Sequence, residues 1–104
     1  MSDWFEAAPL ADLPEGSAKE VVVEGVILAL IHAGGEVHAL DGMCAHQGGP
    51  LGKGAVTGCT LTCPWHGWQY DVATGKQLLS EHIRQRRYPA RLEGDTIWVR
   101  LSDA

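Results

Sequence analysis

Two short motifs place a cysteine close to a histidine: Cys44-Ala45-His46 and Cys63-Pro64-Trp65-His66, with sixteen residues between His46 and Cys63. Each motif supplies one soft thiolate and one imidazole, so two facing loops that carry them offer four ligands to a metal centre. Such ligands suit either tetrahedral zinc or an iron–sulfur centre. Zinc fingers usually pair cysteine with cysteine and histidine with histidine, so the mixed order favours iron and sulfur. Glycines that permit close backbone approach stand at positions 48, 49 and 67.

Beyond the four ligand types, the residues around each motif carry a family resemblance. The stretches Cys44-Ala45-His46-Gln47-Gly48-Gly49-Pro50-Leu51 and Cys63-Pro64-Trp65-His66-Gly67-Trp68-Gln69-Tyr70-Asp71 resemble the two cluster-binding boxes of Rieske proteins. They resemble more closely the boxes of bacterial Rieske ferredoxins that serve aromatic ring-hydroxylating dioxygenases. The resemblance implies an all-β Rieske fold, built from antiparallel sheets with a small cluster-binding subdomain.

The same resemblance implies a cofactor and its ligands. The cofactor is one Rieske-type [2Fe–2S] cluster per chain, and its implied ligands are Cys44 and Cys63 on one iron and His46 and His66 on the other. Two thiolates and two neutral imidazoles leave an oxidised cluster core near zero net charge, which makes an added electron easier to accept than with four thiolates.

High-potential members of the family join the two loops by a disulfide, and the corresponding positions here resemble Gly49 and Trp65, which cannot form one. Trp68 stands where those relatives place a serine that donates to a bridging sulfide, and the loss of that donor disfavours the reduced state. These differences predict a potential near the low end of the Rieske range, roughly −150 mV. Tyr70 matches a family tyrosine whose hydroxyl reaches a ligand sulfur, and a buried strand tyrosine accounts for it almost as well.

The rest of the chain predicts short strands punctuated by glycine and proline, with no sustained helical periodicity. Lys19 to Glu24 and Val26 to His32 read as strands, and Gly34-Gly35 supplies a hairpin turn into a third strand, Glu36 to Asp41. Near the other end, Tyr88 to Leu92 and Thr96 to Leu101 read as a second hairpin. The two regions predict one antiparallel framework built from both ends of the chain.

The middle of the chain predicts two loops carried on a small sheet. The glycine-rich stretch from Gly42 to Thr57 reads as loop rather than regular structure. Thr57 to Thr62 and Trp68 to Val72 read as two short strands that bracket the second loop. The predicted organisation is a single Rieske domain, residues 1–104, whose cluster-binding subdomain covers about residues 42–81.

The composition of the chain argues against several classes of protein. The net charge of −5 argues against a nucleic-acid binder, which needs a basic surface to displace counterions. The first residues lack a secretory pattern, and the longest apolar stretch, Val21 to Ala33, is too short and too interrupted for a membrane helix. Three cysteines in such a chain make a disulfide framework improbable. We expect a soluble, cytoplasmic monomer.

Several other residues have ordinary interpretations. Cys59 is expected to be a small buried side chain on a strand, with no ligand role. The histidines without a nearby ligand pattern are expected on the surface or in ordinary strands, and they are His32, His38 and His82. Trp65 and Trp68 are expected to shield the cluster, line a docking face or simply pack. The one basic concentration is a solvated strand face or a docking patch, and it comprises Arg84, Arg86, Arg87 and Arg91.

These observations predict an electron carrier rather than an enzyme, because no nucleophile with its base and no phosphate-binding loop is evident. The resemblance implies that it takes one electron at a time from a flavin-containing, NAD(P)H-dependent reductase and passes it to a terminal oxygenase. Two alternatives stay open. One is the small Rieske subunit of an assimilatory nitrite reductase, and the other is a zinc-stabilised interaction module without a redox role.

Overall fold

A computed structural model of the chain describes residues 4–43, 49–65, 67–79 and 83–101. The strands are β1 (Trp4–Pro9), β2 (Ser17–Val23), β3 (Val26–Ala33), β4 (Glu36–Asp41), β5 (Ala55–Thr57), β6 (Thr60–Thr62), β7 (Gln69–Asp71), β8 (Arg87–Tyr88), β9 (Ala90–Glu93) and β10 (Thr96–Arg100). Two short 3₁₀ turns cover Leu10–Asp12 and Leu51–Lys53. The described part of the chain contains no helix long and apolar enough to cross a membrane.

The strands form three sheets. The outer sheet has the order β1-β10-β9, the central sheet β2-β3-β4-β8, and the site sheet β5-β6-β7. All the strand pairs in them are antiparallel. The predicted all-β fold of antiparallel sheets is therefore confirmed.

The central sheet is covered on both faces, which explains the long apolar run in the sequence. Along β3, Leu28 and Leu30 point to one face and Ala29 and Ile31 to the other, and all four are fully buried. The face toward the outer sheet forms the base core: Ala8, Leu13, Val23, Leu28, Leu30, Ala39, Tyr88, Ile97 and Val99. The face toward the site sheet forms the site core: Ala29, Ile31, Ala33, Leu40, Leu51, Leu61, Cys63, Tyr70 and Val72.

The β2-β3-β4 meander follows the sequence prediction closely. Glu24 and Gly25 join β2 to β3 with φ of 49° and 80°, the left-handed pair that a tight two-residue hairpin turn requires. Gly34 and Gly35 do the same between β3 and β4. Their N–H groups donate to the Glu15 carboxylate at 3.0 and 2.8 Å, so an acidic side chain from an earlier segment holds this turn.

Two predicted strands are interrupted, each for a local reason. The stretch from Tyr88 to Leu92 is broken at Pro89, which has no N–H to give to a ladder. As a result β8 pairs with β4 in the central sheet and β9 pairs with β10 in the outer sheet. The stretch from Thr57 to Thr62 is a hairpin rather than one strand, because Gly58, at a φ of 59°, turns the chain between β5 and β6.

Two further elements were not predicted. β1 pairs with β10, so the start of the chain completes the outer sheet. The stretch from Gly42 to Thr57, expected to be loop, contains the Leu51–Lys53 turn and all of β5. Gly52 in that turn lies so close to β2 that a Cβ there would be 2.5 Å from the Glu20 Cα, so only glycine allows this contact.

His38 lies in β4 as expected of a strand residue, but its side chain is buried, with 7% of the residue exposed. Its ring Nδ1 has no hydrogen-bond partner among the described residues. Burial lowers the pKa of His38 from its ordinary 6.5, and the nearby positive charge of Arg87 lowers that pKa further. Glu36, Asp71 and the backbone of Ala33 oppose this shift. The histidine is therefore held neutral in the folded protein.

This burial predicts a loss of stability in mild acid. The folded state binds the His38 proton less readily than the unfolded chain does, so the free energy of unfolding should fall as the pH drops below 6.5. In His38→Gln, which cannot titrate, that part of the pH dependence should disappear. Urea unfolding from about pH 7.5 to about pH 5 measures the effect. Equal pH slopes for wild type and variant would contradict it.

Candidate iron–sulfur site

The second predicted ligand loop is a closed hairpin loop on the site sheet. β6 ends at Thr62 and β7 begins at Gln69, and these two residues are Cα partners. The Cys63 N–H donates to the Trp68 carbonyl at 2.7 Å, which closes the loop one residue further in. Gly67 has a φ of 72°, a left-handed conformation that lets the chain reverse there. The sheet thus fixes where the loop begins and ends.

The first predicted ligand loop is closed at its base. Met43 and Pro50 form an antiparallel bridge across the loop, and the Leu51 N–H donates to the Gly42 carbonyl at 3.0 Å. Residue 42 is in turn fixed to the central sheet, because its N–H donates to the Ile27 carbonyl at 2.9 Å. Residues 44–48, inside this closed base, lie outside the described residues.

The two loops approach each other directly. A Cβ placed on Gly49 would lie 3.0 Å from the Cys63 Sγ, 2.9 Å from the Trp65 Cγ and 3.0 Å from the Trp65 Cβ. Real Cβ atoms essentially never come closer than these distances, so only glycine at position 49 lets the loops meet this closely. Positions 49 and 65, where high-potential relatives were expected to carry a disulfide, therefore face each other across the two loops.

Cys63 is the predicted ligand that the structure describes. It is 1% exposed and belongs to the site core. Its Sγ accepts a hydrogen bond from the Trp65 N–H at 3.4 Å. A backbone N–H aimed at a sulfur favours the thiolate, which is the form that binds metal. The burial of Cys63 and this hydrogen bond are compatible with the predicted ligand role, which stays a prediction.

The other three predicted ligands, Cys44, His46 and His66, lie outside the described residues. What the structure describes is their frame. Met43 immediately precedes Cys44 in the chain, and Trp65 immediately precedes His66. The frame brings Gly49, at the end of the first loop, next to Trp65 at the tip of the second loop, beside the Cys63 sulfur.

The close contact at Gly49 predicts the effect of one added methyl group. In Gly49→Ala the new Cβ would push the loops apart, so we expect a lower content of iron and labile sulfide in the purified protein. Gly16→Ala is a suitable control, since a side chain at Gly16 is strained by its φ of 83° but has nothing within 4 Å of the added Cβ. The control should lose fold stability and keep its iron. A Gly49→Ala protein with full iron content would contradict the contact.

The aromatic residues around the site divide into two groups. Trp65 is 49% exposed at the tip of the second loop. Trp68 is partly buried and packs against the site core, and Tyr70 is fully buried within that core. Packing, one of the roles expected for the tryptophans, thus applies to Trp68, whereas Trp65 is exposed beside the loops and its expected roles stay predictions.

A third loop, closed at its base by the hydrogen bond between Gln77 and Ile83, lies alongside the second one. The Leu78 N–H donates to the carbonyl of Gln69, the first residue of β7, at 3.0 Å. The Leu79 N–H donates to the Gln77 Oε1 at 2.9 Å, and the Gln77 N–H to the Ile83 carbonyl at 2.9 Å. Leu79 is 92% exposed. Residues 80–82, including His82, lie outside the described residues.

The prediction for Cys59 is wrong in its burial. Cys59 is exposed, because it follows Gly58 in the turn between β5 and β6 instead of lying inside a strand. Its carbonyl accepts the Val72 N–H at 2.9 Å, so its backbone has a structural role. Its sulfur lies near the β3-β4 turn, where a Cβ on Gly34 would be 3.7 Å away.

The predicted basic concentration is divided between parts of the fold. The Arg87 Nε donates to the Val72 carbonyl at 3.2 Å, which joins the central sheet to the end of the site sheet. Arg91, on the outer sheet, stacks over the Trp4 ring at 4.3 Å and pairs with Glu93 at 2.6 Å. These two arginines stabilise different regions of the protein.

Sequence reasoning missed one residue of the frame, Gln85. It is buried, with 3% exposed, and its Nε2 donates to the Asp41 and Met43 carbonyls at the base of the first loop. Its partners precede it by 44 and 42 residues. No local pattern reports such a contact, and a glutamine between arginines reads as an ordinary surface residue.

Comparisons with known proteins agree with this architecture. The naphthalene 1,2-dioxygenase system ferredoxin component of Pseudomonas aeruginosa is 35% identical over 100 residues, which cover 95% of this chain and 96% of that protein. The 3-phenylpropionate/cinnamic acid dioxygenase ferredoxin subunit of Shigella boydii serotype 4 (strain Sb227) is also 35% identical, with 94% and 93% covered. The relatives are thus ferredoxin components.

A solved structure gives the same result for the fold. The ferredoxin of carbazole 1,9a-dioxygenase from Nocardioides aromaticivorans IC177 superposes with a TM-score of 0.88 at 26% identity, covering 97% of this chain and all of that one. Residues 3–89 match the family described as Rieske [2Fe-2S] domain. The family predicted from the two boxes is therefore confirmed, and this chain belongs to the Rieske [2Fe–2S] domain family.

Proposed function

We propose that this chain is the ferredoxin of a ring-hydroxylating dioxygenase system, a one-electron carrier that does not itself transform a substrate. The observation that carries the proposal is the buried Cys63 sulfur, which lies between two opposed loops and accepts a backbone N–H. The similarity to ferredoxin components over almost their whole length supports the same conclusion. An electron carrier that is a separate protein needs a cluster-binding site and a surface that contacts its redox partners.

The described residues fit the Rieske-type [2Fe–2S] cluster that the family implies. When bound, such a cluster supplies a site that gains and loses one electron. We propose Cys44 and Cys63 as the ligands of one iron and His46 and His66 as those of the other. In that arrangement Gly49 allows the loops to close and the Trp65 N–H supports the Cys63 thiolate. The close contact at Gly49 and the hydrogen bond from Trp65 both suit a sulfur ligand that is shielded from water.

We propose a reduction potential near the low end of the Rieske range, roughly −150 mV. Glycine and tryptophan at the facing positions 49 and 65 cannot form the disulfide that high-potential relatives were expected to carry there. Trp68 packs against the site core, and a tryptophan has no hydroxyl group of the kind that the serine of high-potential relatives donates. Fewer hydrogen bonds to the sulfurs stabilise the reduced state less, which lowers the potential.

The proposed partners are a flavin-containing, NAD(P)H-dependent reductase as donor and a terminal ring-hydroxylating oxygenase as acceptor. A solved structure with 22% identity and a TM-score of 0.84 is described as a complex of reduced oxygenase and oxidized ferredoxin in carbazole 1,9a-dioxygenase, and its likeness to this chain concerns the fold. Exposed apolar side chains around the loops suit a transient redox contact, and they are Met43, Trp65, Leu78 and Leu79.

The exposure of Leu79 predicts a kinetic effect. In Leu79→Ser the third loop keeps its backbone hydrogen bonds but loses its apolar side chain, so electron transfer to the oxygenase should slow by about tenfold, with an unchanged potential. Leu92→Ser is the matched control, because Leu92 is also an exposed leucine but lies on β9 of the outer sheet. Stopped-flow mixing of reduced ferredoxin with oxygenase measures both. Equal electron-transfer rates for Leu79→Ser and Leu92→Ser would show that Leu79 lies outside the proposed contact with the oxygenase.

We further propose that the chain acts as a single Rieske domain over residues 1–104, with a cluster-binding subdomain at about residues 42–81, and as a cytoplasmic monomer. The site sheet and both loops fall inside that range, and the family match covers most of the chain. Sedimentation of the iron-loaded protein measures the oligomeric state.

Anaerobic purification tests the function most directly. The protein should contain iron and acid-labile sulfide in equal amounts, as a [2Fe–2S] centre requires, and should give an electron paramagnetic resonance signal after reduction by one electron per chain. The reductase and NAD(P)H should reduce it, and the oxygenase should reoxidise it. A colourless, spectroscopically silent protein that contains zinc would overturn the proposal in favour of an interaction module.

A further inference from the structure

Gln85 occupies an unusual environment for its residue type. It follows the third loop, is almost completely buried, and therefore needs partners for its amide. Its Nε2 donates to the Asp41 carbonyl at 2.7 Å and to the Met43 carbonyl at 2.5 Å. An amide nitrogen has two hydrogens, so both donors of this group are used on the base of the first loop.

The Met43 carbonyl is important because it is bonded directly to the backbone nitrogen of Cys44. It belongs to the peptide group whose nitrogen is that of Cys44, and a peptide group is a rigid plane. A hydrogen bond that fixes this carbonyl therefore fixes the orientation of the peptide that leads into Cys44. The Asp41 carboxylate also accepts the Met43 N–H at 3.0 Å, so residue 43 is held on both of its peptide sides.

The backbone of Gln85 is itself firmly placed. Its N–H donates to the Gly75 carbonyl at 2.6 Å. A Cβ on Gly75 would be 2.3 Å from the Gln85 carbonyl oxygen, so the two segments are in close backbone contact. The next residue, Arg86, accepts the Asp41 N–H at 2.8 Å through its carbonyl. The backbone around Gln85 is thus attached to the turn after β7 and to the end of β4. From this fixed position the Gln85 side chain contacts the base of the first loop.

We infer that Gln85 is a positioning residue for the iron–sulfur site: its side-chain amide orients the peptide that leads into Cys44. The inference rests on the proposed function, because it concerns the cluster that Cys44 is proposed to bind. Gln85 holds no metal itself. Its removal leaves the part-buried Asp41 and Met43 carbonyls without these donors and frees the entry of the first loop to move.

Three variants of the iron-loaded protein test the inference. Gln85→Leu keeps the approximate volume and removes both donors, and Gln85→Glu keeps the shape but cannot donate when ionised. Gln77→Leu is the matched control, because Gln77 is similarly buried but its Oε1 accepts a hydrogen bond within the third loop. Each protein is compared for iron release to a chelator, reduction potential, electron paramagnetic resonance spectrum and unfolding midpoint.

Both Gln85 variants should release iron about 10-fold to 100-fold faster than wild type, the usual effect of losing a residue that orients a ligand. Their spectra and potentials should shift, whereas Gln77→Leu should keep the wild-type spectrum and potential even where it lowers the unfolding midpoint. Should Gln85→Leu fail to fold, Gln85→Asn retains both donors on a shorter side chain and should give an intermediate release rate.

Two results separate the possible failures. Gln85 variants that unfold more easily but keep the wild-type spectrum, potential and iron release would overturn the inference and leave the proposed function intact. A wild-type protein that binds no iron–sulfur cluster would instead overturn the proposed function.

Discussion

Cys63→Ser is expected to abolish the iron–sulfur centre while the β-sheets remain folded. The substitution is nearly isosteric, but it replaces a soft sulfur ligand by a hard hydroxyl oxygen that is protonated at neutral pH. The position is buried, so water cannot readily take over as a ligand. The Trp65 N–H, which supports a thiolate at this position, would face a neutral hydroxyl. Visible absorption and iron content should fall almost to zero, and electron transfer to the oxygenase should disappear.

The chain offers a matched control for this change. Cys59 is also a cysteine, but it is exposed on the turn between β5 and β6. Cys59→Ser should keep the absorption, the iron content and the rate of electron transfer. Far-ultraviolet circular dichroism checks that both variants keep their strands. If Cys63→Ser retained the wild-type spectrum and potential, or if Cys59→Ser lost them, the assignment of Cys63 as a ligand would be wrong.

The different behaviour of the two cysteines was predictable from the sequence only in part. The proposed ligand role of Cys63 follows from residue types and spacing, because it stands three residues before His66 and so pairs a thiolate with an imidazole on one loop. The exposure of Cys59 did not follow, since Thr57 to Thr62 carries the composition of a strand. One glycine with a positive φ, Gly58, turns that stretch into a hairpin.

The fold was predictable wherever local chemistry decides the structure. The β2-β3-β4 meander follows from apolar runs separated by residues that accept a positive φ, and the structure has all three strands. Contacts between distant segments were not predictable. β1 joins the outer sheet by pairing with β10, and Gln85 reaches the first loop across more than forty residues. A single sequence carries no signal for such partners, because pairing depends on the assembled fold.

The double burial of the central sheet leads to the second large effect. Leu30 and Ile31 are adjacent in β3 and both are fully buried, but Leu30 belongs to the base core and Ile31 to the site core. Truncation of either to alanine removes buried methyl groups and leaves a cavity, so each should lower the free energy of unfolding by about 2–5 kcal/mol. For a small domain this is a large part of the total stability.

Only the truncation of Ile31 should weaken the binding of the cofactor at the iron–sulfur site. Ile31 packs in the same core as Cys63, Leu61 and Tyr70, which support the second loop, so its loss should loosen that loop without unfolding the whole chain. We therefore expect iron release under native conditions to be clearly faster in Ile31→Ala than in Leu30→Ala, although the two unfold at similar urea concentrations. If Ile31→Ala and Leu30→Ala are equally stable and release iron at the same rate, the cofactor leaves only through global unfolding. The site core would then not hold the loops independently of the base core.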